Sequence, residues 1–92
     1  MRSPYLDDLR ATLDDILDME RPLNSDKIAR YIADWYGTLI RTGKWGTRGA
    51  YNRQLKRKTN IVVRIMSMLG TNFSIMMETA LREKIGNACL KR

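Results

Sequence analysis

Ninety-two residues make one domain, and a chain this short buries only about 60–65% of its unfolded surface, so self-association is expected to add apolar burial. The net charge is +7, with 17 Lys and Arg against 10 Asp and Glu and no histidine, which removes the commonest general base and the commonest zinc ligand. Cys89 is the single cysteine, so no intramolecular disulfide or Cys-rich metal site forms and a reducing, intracellular (cytoplasmic) setting is expected. No apolar run approaches the roughly 20 residues of a membrane span, and the acidic run after Ser3-Pro4 does not read as a signal peptide.

The first helix is predicted to start at Ser3 as N-cap, with Pro4 at its first position. Leu6, Leu9, Leu13, Ile16 and Leu17 fall on one face at helical spacing. Asp7, Asp8, Asp14 and Asp15 point away from it. Pro22 disfavours helix in the residue before it, so the end is expected near Glu20. Asn24 or Ser25 caps a second helix, with Asp26 near its positive dipole end. Ile28, Tyr31, Ile32, Trp35, Leu39 and Ile40 give it an apolar face wide enough for two neighbours. Gly37 inside that helix invites close approach by another.

Residues 42 to 49 read as a loop, because Gly43, Gly46 and Gly49 disfavour regular structure. Helical spacing returns from about Ala50 with Tyr51, Leu55, Val62, Ile65 and Leu69. The β-branched run Ile61-Val62-Val63 suits a short strand equally well. Gly70 is a helix stop, and Thr71 or Asn72 a start. A fourth helix is predicted from about Phe73 to Asn87, with Phe73, Met76, Met77, Ala80, Leu81 and Ile85 inward. The expected fold is all-α: one domain over residues 1–92, a bundle of about four helices with a Gly-rich basic loop between the second and third, oligomeric. Met68 and Ile75 lie off the main stripes and are the candidates for a subunit contact. Cys89 reads as packing or as an incidental thiol.

Charge is distributed unevenly. Residues 1 to 20 hold six acids and two bases, whereas residues 21 to 92 hold 15 bases and four acids. Between residues 41 and 64 stand eight cations and no acid: Arg41, Lys44, Arg48, Arg53, Lys56, Arg57, Lys58 and Arg64. Trp45 and Tyr51 are interleaved with them. Fixed positive charge with aromatic rings suits a polyanion, most often DNA or RNA. On a helix, Arg53, Arg57 and Arg64 share a face with Lys56 and Asn60 nearby, able to follow a phosphate backbone. Trp45 in the loop is placed to stack on an unpaired base. The competing expectation is internal: Asp7, Asp14, Asp15 and Asp18 of the acidic first helix dock on Arg53, Arg57 and Arg64.

Other chemistry finds less support. The pairs Asp7-Asp8 and Asp14-Asp15 read as a solvated acidic face, since no further metal ligand accompanies them. No cofactor motif occurs, and no constellation of base, nucleophile or metal ligands points to an enzyme. Two DNA-binding templates share features with the C-terminal half. A helix-turn-helix would put residues 72 to 84 in the groove, where Glu78 and Glu83 offset Arg82 and Lys84. The stretch from Leu69 to Ile85, with its capped start and Ala80-Leu81-Arg82-Glu83 end, resembles the second helix of ribbon-helix-helix repressors. That resemblance implies a β-ribbon and a helix upstream, and Ile61-Val62-Val63 lies too near Gly70 to leave room for both. The expectation is therefore a non-enzymatic, regulatory nucleic-acid-binding protein acting through residues 41 to 64. The alternatives are a module gripping an acidic protein, or a binder of a small phosphate-bearing ligand.

Overall fold

The computed structural model describes residues 3–43, 46–69 and 75–90, apart from the side chains of residues 75–77 and 90. Four helices follow in order: α1 (Pro4–Leu17), α2 (Ser25–Thr42), α3 (Arg48–Met68) and α4 (Ile75–Leu90). No strand occurs among the described residues. Ile61-Val62-Val63 is helical, because burial of Ile61 and Val62 in the core outweighs β-propensity. The ribbon of the ribbon-helix-helix template is absent there, and the Gly70 turn itself falls outside the described residues.

Local chemistry accounts for the helix ends. Asn24 caps α2, its Oδ1 accepting from the Lys27 N–H at 2.9 Å. Gly43 closes α2 in the left-handed conformation at φ 62°, where glycine alone adds no Cβ penalty. Thr47 caps α3 by accepting from the Ala50 N–H at 3.2 Å. That cap starts α3 at Arg48, so the expected loop through Gly49 is shorter, and Gly49 lies in the first turn. Ser3 is the N-cap of α1 but makes no side-chain cap bond. This helix stops at Leu17, short of Glu20. The Glu20 and Pro22 carbonyls turn instead to the Lys27 ammonium, at 3.2 and 2.8 Å.

The core joins all four helices. Ile16 comes from α1; Ile28, Ile32 and Tyr36 from α2; Ile61, Val62, Ile65 and Met66 from α3; Leu81, Ile85 and Cys89 from α4. α2 packs against both α3 and α4, and α1 packs on α3. Buried small residues on α2, Ala29, Ala33 and Gly37, recur every four positions, and the first two border Lys84, Asn87 and Ala88 of α4. Such a stripe lets two helices approach closely. Lys84 fastens α4 to the start of α2 through Asp26 Oδ1 at 2.9 Å and Ser25 Oγ at 3.1 Å. This bond holds the Asp26 carboxyl below its ordinary range. Tyr36 reaches from α2 to α3, its hydroxyl donating to Asn52 Oδ1 at 3.3 Å.

Two expected stripes are rotated. On α1 the inward set is Tyr5, Leu9, Thr12, Leu13 and Ile16, while Leu6 and Leu17 are 59% and 50% exposed. On α2 the pairing with α4 draws the small residues inward and leaves Ile40 exposed. On α4, Leu81 and Ile85 are buried as expected and Cys89 joins them, while Ala80 is exposed; Phe73 and the side chains of Met76 and Met77 lie outside the described residues. Leu69, expected on the α3 seam, is exposed too, as is Met68. The Cα radius of gyration is 13.1 Å, close to the ~12 Å of a compact chain of this length.

Candidate nucleic-acid interface

Along α3 the cations divide by helical position. Arg53, Lys56, Asn60 and Arg64 recur at three- and four-residue intervals, hence on one face, and all four are exposed. Arg48 at the start of α3 and Arg41 at the end of α2 flank the same corner and are exposed as well. Arg48, Arg53 and Lys56 have no carboxylate partner among the described residues. Arg41 donates to Thr38 Oγ1 at 3.0 Å, and Arg64 to the Tyr5 hydroxyl at 2.8 Å. Both partners are neutral, so neither charge is cancelled. Arg82 of α4 joins this face by donating to Asn60 Oδ1 at 3.0 Å, though Glu78 pairs with it at 3.0 Å.

Arg57 and Lys58 are placed differently. Arg57 bonds Asp8 of α1 at 3.0 Å, and its Nε is buried with no acceptor among the described residues. Its guanidinium carbon also stands 6.0 Å from the centre of the Tyr5 ring. Lys58 lies three residues after Leu55 and four before Val62, so it falls on the apolar seam rather than on the basic face. Its Nζ donates to Thr12 Oγ1 at 3.0 Å and stands 5.0 and 5.3 Å from the ring centres of Tyr31 and Trp35, a cation–π arrangement. Burial pushes the Lys58 ammonium below its ordinary pKa, against the opposing pull of Asp15 and Asp8. Nearby, the Tyr31 hydroxyl donates to Asp15 Oδ2 at 2.6 Å. Burial and this acceptor together raise the phenol well above its usual pKa.

The expected internal docking thus occurs, with other partners. Asp8, not Asp7, Asp14, Asp15 or Asp18, meets the basic helix, and Arg53 takes no part. Tyr51 is half-buried against the core, which withdraws it from the exposed basic set. Lys44 and Trp45 lie outside the described residues. Spacing alone would have singled out Lys58: it is seven residues from both Tyr51 and Ile65. The partners from α1 and α2 carry no comparable signal, because no local pattern specifies which helix lies opposite.

Among the described residues, no group of three Cys, Asp or Glu side chains is arranged to hold a metal ion. No described helix is long and apolar enough to cross a membrane. No protein-family model, curated protein or solved structure matches the chain.

Proposed function

We propose that this is a non-enzymatic, regulatory nucleic-acid-binding protein whose phosphate-contacting surface is the α2–α3 corner and the exposed face of α3. The observation that carries this reading is the exposed, acid-free set Arg41, Arg48, Arg53, Lys56 and Arg64. Exposed arginines and a lysine three to eight residues apart along α3 and its corner with α2 suit phosphate oxygens along a backbone. The Gly43–Gly49 segment adds Lys44 as a further cation and Trp45 as a stacking ring. Arg57 and Lys58, engaged with α1, leave the proposed surface. Self-association would double the number of phosphate contacts.

The direct test is fluorescence anisotropy with labelled duplex and single-stranded oligonucleotides at low salt. Binding is expected, and is expected to vanish when Arg48, Arg53 and Lys56 are all changed to Glu, with the thermal midpoint preserved because these side chains are exposed. Absence of binding to either probe by the unaltered protein refutes the proposal. The exposed Met68 and Leu69 favour a second reading, a module that grips an acidic protein surface with added apolar contact. A partner protein would then co-purify, and oligonucleotides would not displace it.

A further inference from the structure

Between α1 and α3, with α2 as its floor, lies an open cleft of about 520 Å³. Two cations line it, Arg57 and Lys58, along with Thr12, Asp8 and the apolar surfaces of Trp35 and Leu39. Its carboxylates are both engaged: Asp8 pairs with Arg57 at 3.0 Å, and Asp15 accepts from the Tyr31 hydroxyl at 2.6 Å while keeping its charge beside Lys58. Its donors are not. Arg57 Nε is buried with no acceptor among the described residues, a costly state for a charged group. An ammonium has three N–H groups, and among the described residues Thr12 Oγ1 accepts from one of those on Lys58. Two adjacent cations with spare N–H groups, beside an indole and a leucine, describe a site for an anion with an apolar body.

We propose that this cleft binds a small organic oxyanion, a phosphate monoester or carboxylate carried on a flat aromatic body. The oxyanion would accept from the partly exposed Arg57 guanidinium and from Lys58 Nζ, and the ring would lie against Trp35 and Leu39. The cations concerned differ from those of the exposed face, so this inference stands apart from nucleic-acid binding. Binding would add to the counter-charge that Asp15 and Asp8 already supply to Lys58, whose ammonium is otherwise held by a hydroxyl and two rings.

Phenyl phosphate and benzoate are the probes, with phenol as the uncharged control. In a Trp45→Phe background Trp35 is the sole tryptophan, and its fluorescence reports the cleft. Phenyl phosphate or benzoate is expected to change it saturably, and phenol to do so at least tenfold more weakly. Arg57→Gln and Lys58→Met should each weaken oxyanion binding about tenfold or more. The triple Glu variant of the exposed face should bind the probe as the unaltered protein does. A readout free of substitutions at the cleft is the Lys58 ammonium titration by NMR, whose midpoint should rise when phenyl phosphate is bound. No saturable change with either oxyanion, equal binding of phenol, or an unmoved Lys58 midpoint would each overturn the proposal.

Discussion

Lys58 and Tyr31 are adjacent titratable groups whose pKa values are displaced in ways that oppose each other in pH dependence. Burial makes the charged form of Lys58 costly. Well below its folded pKa, Lys58 is protonated in both states and that cost is fully present. Between the folded pKa and the unfolded value of 10.5, the native chain gives up the proton first, so the Lys58 contribution to stability improves as pH rises. Tyr31 has the reverse sign. Its folded phenol keeps a proton that the unfolded chain releases above 10.0, so its stabilisation is complete below that pH and declines beyond it. Urea denaturation across alkaline pH should therefore show that Lys58→Met removes the rise and Tyr31→Phe removes the decline. At neutral pH, Lys58→Met is expected to raise stability, because methionine occupies the same seam without a charge to desolvate. In the core, Ile32→Ala or Ile65→Ala should cost about 2–5 kcal/mol. Leu6→Ala, at an exposed position, should cost within about 0.5 kcal/mol. A denaturant midpoint series separates the two classes.

The helices owe their limits to single side chains. Loss of the Asn24 cap in Asn24→Ala should cost about 1 kcal/mol. Gly43→Ala should cost about 1–2 kcal/mol, because Gly43 sits at φ 62° where a Cβ is strained. Thermal unfolding of both variants checks these values. α1 is attached less firmly than the others. Its fully buried side chains are Ile16 and Thr12, and its link to α3 rests on the partly exposed Arg57–Asp8 pair, worth about 0–1 kcal/mol, and two further hydrogen bonds. Amide exchange should accordingly be faster in α1 than in α2; protection of α1 equal to that of α2 would contradict this view. Helix positions were largely readable from apolar spacing and capping residues. The faces were less so: on α1 the five leucine and isoleucine positions marked a stripe that is turned toward Tyr5, Leu9, Thr12 and Ile16. Hydrophobicity alone ranks Leu6 above Thr12, yet Thr12 can satisfy its hydroxyl on the Asp8 carbonyl at 2.7 Å and is buried.

For the whole molecule, the charge pattern has two fates. Docking of α1 leaves one face of α3 open and turns Arg57 and Lys58 into the wall of a cleft. If Arg41, Arg48, Arg53 and Lys56 each meet one phosphate of a duplex, the log–log slope of affinity against salt should be roughly −3.6. Each single Glu substitution on that set should make the slope shallower by about 0.9 or more. Anisotropy titrations at several salt concentrations measure this, and a slope near zero would exclude phosphate contact through these side chains. The helical class, the capped start at Asn24 and the acid-free stretch from Arg41 to Arg64 were readable along the chain, because capping, periodicity and local charge are short-range properties. Which cations remain on the surface was not. That depends on α1 crossing α3 and on Trp35 and Tyr31 of α2 lying beneath Lys58, contacts between residues far apart in sequence. Residue spacing places a side chain on a helix face; it does not say which helix that face will meet.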